Sequence, residues 1–186
     1  MIVLVQGSNR RGNATAPVTD FAAEHLAAQG LPTATIDLVE LPGSVLHGDM
    51  YEASGKHDFL DEAAALLGEA RHWVFAFPEY NGSFPGALKL FIDALSVRDY
   101  KTLFGGKTAA LIGTASGRAG NLRGIDHLTA VLHHLGTSVM PQAMPISLID
   151  GLVDGGQLTD AGTREALGAF LDRFVDYASQ PVAAAH

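Results

Sequence analysis

Five short apolar runs, rich in β-branched residues, punctuate the chain at residues 1–6, 33–38, 72–77, 107–113 and 137–140. Each has the length and composition of a buried strand. Between them lie segments whose apolar residues recur at helical spacing. These are Val18, Phe21 and Ala22, then Leu60, Ala63, Ala64 and Leu67, then Leu88, Phe91, Ile92 and Leu95. Leu128, Val131, Leu132 and Leu135 follow, and Leu167, Phe170, Leu171 and Phe174 close the series. All but the first complete the i, i+3, i+4, i+7 pattern of one apolar helix face. Strands apolar on both sides, alternating with amphipathic helices, require a parallel sheet covered on both faces, because parallel strands need crossover connections. The expected architecture is a doubly wound α/β sandwich.

At 186 residues the chain has the size of one domain. Residues 1–178 are expected to form it, with residues 179–186 as a fraying tail that has little to pack. Two long irregular stretches, 39–56 and 141–157, stand out, since long connections in a compact domain are often functional. The formal charge of −8 speaks against a protein that works by neutralising nucleic-acid phosphates. With no cysteine, disulfides, thiolate metal sites and cysteine nucleophiles are excluded. No run approaches the ~18 apolar residues of a membrane span, and the apolar run at residues 2–5 is too short for a signal peptide. A soluble cytoplasmic protein is expected.

Ligands of open α/β sheets bind at the carboxyl ends of the strands, so the loops after strands are where chemistry is expected. The first, Gly7 to Thr15, runs from a strand into a helix and carries Ser8, Asn9, Arg10, Arg11, Asn13, Ala14 and Thr15. Helix N-terminal amides, hydroxyl and amide donors and an arginine fork suit a phosphate. The same residues also suit an ordinary polar turn in which Asn13 or Thr15 caps the helix. The glycine spacing matches neither a nucleoside-triphosphate loop nor a dinucleotide loop. The second loop, Pro78-Glu79-Tyr80-Asn81-Gly82-Ser83-Phe84-Pro85-Gly86, follows the most apolar run. It offers an aromatic face, a carboxylate and backbone amides beside glycines, a set able to hold a planar heteroaromatic ring, or simply an Asn-Gly turn leading into a helix. The third, Gly113 to Asn121, contains Ser116, Gly117 and Arg118. Its small residues permit close approach of a ligand, and Arg118 brings positive charge suited to a reduced, anionic ring.

Gly7-Ser8-Asn9-Arg10 with Asn13 and Thr15, then Pro78 to Lys89 with Ile92-Asp93, resembles the NADPH-dependent FMN reductase family of flavodoxin-like proteins. Ser116-Gly117-Arg118-Ala119-Gly120 with His127-Leu128 is similar to the family's third loop. The resemblance extends over roughly residues 2–148. It implies a flavodoxin-like three-layer sandwich: a five-stranded parallel sheet in order 2-1-3-4-5 with helices on both faces. It also implies non-covalent FMN, with NADPH or NADH as hydride donor to a small acceptor such as a quinone, azo compound, flavin or metal oxyanion. On matching positions, Ser8, Arg10, Asn13 and Thr15, with Ala14 in the same loop, would hold the FMN phosphate. Pro78, Glu79, Tyr80, Asn81 and Gly82 would line the isoalloxazine ring, and Ser116, Gly117 and Arg118 would approach its other edge. Asn13 and Thr15 depart from the hydroxyl residue and the asparagine common at those places, yet both can still donate hydrogen bonds. Family members are commonly dimers or tetramers, so a homodimer or homotetramer is expected, with Met50 and Tyr51 of the 39–56 stretch as interface residues or part of a lid.

Flavin chemistry needs no nucleophile or general base from the protein, and none is assigned. Three other classes compete. A serine hydrolase lacks its elbow, because residues 113–117 space their glycines differently from Gly-x-Ser-x-Gly. A metal site from His127, His133 and His134 fails because adjacent histidines point to different helix faces. A flavodoxin-like electron carrier or binding module would hold FMN without oxidising a nicotinamide, whereas a receiver domain would need acidic residues where Gln6, Gly7 and Ser8 stand.

Overall fold

The computed structural model describes residues 1–51 and 58–180. Its central sheet contains β1 (Ile2–Gln6), β2 (Thr33–Asp37), β3 (His72–Pro78), β4 (Thr108–Thr114), β5 (Ser138–Val139) and β6 (Met144–Ile146). The order is β2-β1-β3-β4-β5, with β6 also pairing to β4, and every pairing is parallel. This is the flavodoxin-like order expected. Register is fixed by Ile2 opposite both Thr33 and His72, by His72 opposite Thr108, and by Thr108 opposite Ser138.

The pleat sends alternate residues of each central strand to opposite faces. Val3 and Val5, Trp73, Phe75 and Phe77, and Ala109 and Leu111 share one core with α2 (Asp58–Glu69), α3 (Gly86–Phe104) and α4 (Leu122–His134). Ile2 and Leu4, Val74 and Ala76, and Ala110 and Ile112 share the other with α1 (Ala16–Ala28) and α5 (Ala161–Ser179). Helix α1 buries Val18, Ala22 and Leu26, an i, i+4, i+8 stripe, whereas Phe21 lies at its margin. Within α3 the helix breaks at Asp99 (φ −160°, ψ 78°) and restarts with the Asp99 carboxylate accepting from the Thr102 amide at 3.2 Å.

Three departures from expectation have local causes. The run at 137–140 yields only Ser138–Val139, because Pro141 stops the edge ladder. The sheet edge resumes at β6, where Ile112 faces Met144 and Thr114 faces Ile146. The stretch 141–157 is therefore structured rather than irregular. It holds β6, a 3-10 turn at Ile149–Gly151, and a hairpin of β7 (Val153–Asp154) and β8 (Gln157–Leu158). Gly155 and Gly156, at φ 54° and 78°, make the mirror-image turn that matches strand twist. The stretch 39–56 begins with 3-10 turns at Leu38–Glu40, Gly43–Leu46 and Gly48–Tyr51, and its remainder lies outside the described residues. Met50 is buried in the core and so is not an interface residue, whereas Tyr51 is exposed. Helix α5 carries the order to Ser179, and residues 181–186 of the expected tail lie outside the described residues.

Register brings Gln6 opposite Ala76, and Pro78 opposite Thr114. The loops that leave β1, β3 and β4 thus emerge side by side at one edge of the sandwich.

Candidate functional site

The first loop is pinned at its base. Gly7 donates to the Ala76 carbonyl at 2.7 Å, and a Cβ here would come within 2.8 Å of the Phe77 Cβ, so only glycine lets β1 and β3 stay this close. Ser8 follows, fully buried, with its Oγ 2.8 Å from the Tyr80 hydroxyl of the second loop. The same oxygen accepts from the Arg10 amide at 3.3 Å. Asn13 holds the loop's far end: its Oδ1 accepts from the amides of Thr15 (3.1 Å) and Ala16 (2.9 Å), and its Nδ2 donates to the Arg10 carbonyl at 2.7 Å. The helix-capping part of the sequence expectation thus falls to Asn13. Thr15 turns inward, its hydroxyl 2.8 Å from that of Thr114 and both buried. Asn13 and Thr15 therefore shape and anchor the loop, while the Arg10 side chain stands exposed.

In the second loop Asn81 (φ 54°) and Gly82 (φ 79°) form the centre of a tight turn closed by Tyr80 and Ser83 in both directions, at 2.9 and 3.2 Å. Positive φ at both central positions is the type I′ signature, which Asn-Gly favours. The Glu79 amide donates to the Thr114 carbonyl at 2.9 Å, tying this loop to the end of β4. The Glu79 carboxylate has one oxygen 3.9 Å from an Arg123 guanidinium nitrogen, and its other oxygen, Oε2, is buried without a hydrogen-bond partner. Ser83 Oγ meets His127 Nδ1 at 2.9 Å.

The third loop interlaces with the segment after β6. The Ala115 amide donates to Ile146, and the amides of Leu148 and Ile149 donate back to Gly117 and Ala115, at 3.0–3.2 Å. Asn121, in the left-handed region at φ 66° and wholly buried, sends its Nδ2 to the Phe77 carbonyl at 2.9 Å, joining the third loop to the base of the second.

Together these loops enclose one cleft. The first contributes Arg10, Asn13, Ala14 and Thr15, the second Pro78, Glu79 and Tyr80, and the third Ser116. Ser8 lies beneath the wall, reaching it through Tyr80. Asn81, Gly82, Gly117 and Arg118 stand outside the lining. Gly12, Thr114, Ala115, Ile149 and Asp150 line it without having been singled out from sequence. Gly12, Thr114 and Ala115 lie within the three loops and could have been included on position alone. Ile149 and Asp150 arrive through the β6 crossover, which carries no local signal.

A parallel sheet in this order, with a polar cleft spanning three strand ends beside a helix N-terminus, defines a flavodoxin-like nucleotide-binding protein. The chain belongs to the NADPH-dependent FMN reductase family, whose model it matches across residues 1–149. It is 30% identical to a 2-hydroxy-1,4-benzoquinone reductase from Burkholderia sp over 178 residues, 93% of each chain. It is also 30% identical to a quinone reductase from Pseudomonas putida, over 95% of this chain and 93% of that one. Among solved structures, the flavoenzyme NAD(P)H:(acceptor) oxidoreductase FerB from Paracoccus denitrificans superposes with a TM-score of 0.80 at 25% identity, covering 97% of both chains. The protein is therefore an oxidoreductase that uses FMN with a reduced nicotinamide as electron donor. Family membership sets aside the hydrolase and electron-carrier readings.

The residues present fit that cofactor. Glu79, a residue of the cleft wall, has a carboxylate oxygen buried without a hydrogen-bond partner, and an isoalloxazine ring carries an N–H that can meet such an acceptor. An exposed arginine beside the start of α1 matches the other, anionic end of FMN.

Proposed function

We propose that the cleft holds FMN with its phosphate at the first loop and its ring between the second and third. The observation that carries this reading is the convergence of three separate strand-end loops on one cleft with an unpartnered carboxylate oxygen in its wall. In this reading Arg10 and the Ser8 hydroxyl bind the phosphate directly. Asn13 fixes the loop's shape, with Ala14 and Thr15 presenting the start of α1. Pro78, Glu79, Tyr80, Asn81 and Gly82 flank one side of the ring, Glu79 accepting from a ring N–H. Ser116, Gly117 and Arg118 lie toward the other side, and Arg118 adds positive charge.

Bound FMN accepts a hydride from NADPH or NADH and passes electrons on to an acceptor. The protein's part is to orient the ring, to supply donors and charge at its edge, and to leave room for two substrates in turn. The acceptor class is quinones, supported by the named activities of the similar Burkholderia and Pseudomonas putida proteins. Among the described residues no helix is long and apolar enough to cross a membrane, and together with the acidic charge this supports a cytoplasmic enzyme that acts on small molecules. Residues 1–178 act as one unit, and the working form is a homodimer.

The test is a visible spectrum of protein incubated with FMN and desalted, followed by anaerobic NADPH and then a benzoquinone. Retained flavin absorbance that bleaches with NADPH and returns with the quinone is the expected result. Loss of flavin on desalting counts against the cleft assignment, and bleached flavin that the quinone fails to reoxidise counts against the acceptor.

A further inference from the structure

The last residue of β1, Gln6, is buried at 2% exposure, and nothing in the chemistry above uses it. Its side chain belongs to the face of Ile2 and Leu4, beneath α1 and the first loop. The carboxamide grips Ser8 from both sides: Gln6 Oε1 accepts from the Ser8 amide at 2.7 Å, and Gln6 Nε2 donates to the Ser8 carbonyl at 3.0 Å. The second hydrogen of Nε2 goes to Asp37 Oδ1 at 2.6 Å, on the residue facing Gln6 across the β1–β2 ladder. That carboxylate oxygen also accepts from the Val39 amide at 3.0 Å.

We propose that Gln6 is the positioning residue of the phosphate loop. It fixes the backbone of Ser8, and hence the direction of the Ser8 hydroxyl, by anchoring it to the end of β2 through Asp37. This rests on the reading of the first loop as the phosphate site. The orientation of the amide is forced, because the reverse would set N–H against N–H at Ser8 and oxygen against both a carbonyl and a carboxylate. No other side chain of this shape meets the pattern. Glutamate keeps the acceptor for the Ser8 amide but has no hydrogen for the Ser8 carbonyl, and it brings a second negative charge against Asp37. Leucine leaves both Ser8 backbone groups unpaired.

The test compares FMN with riboflavin, which has the same ring and no phosphate, each titrated into flavin-free protein and followed by quenching of flavin fluorescence. Gln6→Glu and Gln6→Leu are expected to weaken FMN binding about tenfold and to change riboflavin binding less than twofold, so the FMN-to-riboflavin preference collapses. Gln6→Glu combined with Asp37→Asn, which restores a donor opposite residue 6, is expected to recover part of that preference. Equal losses for both flavins, or no loss for either, overturn the proposal, since a merely structural role weakens both alike. If Gln6→Leu does not fold, the uncharged Gln6→Met carries the comparison, because the added charge of Gln6→Glu by itself repels a phosphate. Arg10→Ala is measured alongside. If it lowers the preference and the Gln6 variants do not, only the role of Gln6 falls. If it leaves the preference intact, the phosphate-loop reading falls and this inference with it.

Discussion

Arg10 has an unusual division of labour between backbone and side chain. Its amide is held by Ser8 Oγ and its carbonyl by Asn13 Nδ2, so the main chain is fixed on both sides, while the guanidinium is left in solvent. A charged fork on a fixed stem loses little backbone freedom when it closes on a phosphate. A hydrogen bond to a charged partner contributes ~1.5–3 kcal/mol, about tenfold or more in affinity. Arg10→Ala is therefore expected to raise the FMN dissociation constant at least ~tenfold in a fluorescence titration, with the far-ultraviolet spectrum unchanged. An unaltered constant would remove Arg10 from the phosphate site. Ser8 and Tyr80 behave differently, since one hydroxyl hydrogen is used in the bond between them and the other is left to donate to a ligand.

At the scale of elements, a buried cation joins helix to sheet. Lys107, just before β4, is 6% exposed, and its ammonium donates to the carbonyls of Leu67, Gly68 and Ala70 at 2.8–3.1 Å. These are orphan acceptors at the C-terminus of α2, where positive charge is favoured, although burial and the nearby Arg71 pull the ammonium pKa below its ordinary value. Lys107→Met is expected to cost about 2–3 kcal/mol in urea unfolding, and a change within error would show that the three carbonyls find other partners. At the start of β3, His72 meets Thr108 Oγ1 at 2.7 Å. Its pKa is lowered first by burial and then by Arg71, the chain's amino terminus and Lys107. Below pH 6.5 the unfolded chain takes a proton that folded His72 resists, so stability from this group is full above that pH and declines as pH falls toward the lowered folded value. The unfolding free energy should drop more between pH 7.5 and 5.5 in the wild type than in His72→Gln, and equal drops would discard the assignment. The apolar runs, helix stripes and three loops are legible in the sequence because each is a pattern within about twenty residues. What eludes it joins distant segments. Thr15 reads as a local loop donor, and nothing near it in sequence reports that its hydroxyl meets that of Thr114, 99 residues away. Gln6 reads as a polar strand end until Asp37 and Ser8 close around it. The split of the fifth strand depends on which part of β4 remains uncovered after Pro141, and no local pattern reports that.

The whole molecule places its cleft at the edge where strand order reverses, between cores of unequal make-up. The face under α2, α3 and α4 holds Trp73, Phe75, Phe77, Phe91 and Phe104, whereas the α1 and α5 face is mainly aliphatic apart from Phe170 and Phe174. Near the aromatic side, Leu46 and Tyr51 are 72% and 59% exposed. The homodimer reading predicts sedimentation at twice the 19.5 kDa chain mass at micromolar concentration, and a single species at chain mass would reject it. The interrupted border of the sheet has a consequence of another kind. A long outer strand is a template on which foreign chains can stack into aggregates. Here that border is two fragments of two and three residues, with Pro141 between them and Pro145 inside the second, neither of which has an amide hydrogen to offer. Replacing both prolines is expected to lengthen this border and to raise light scattering during concentration, and unchanged scattering would show that the break does not limit stacking there.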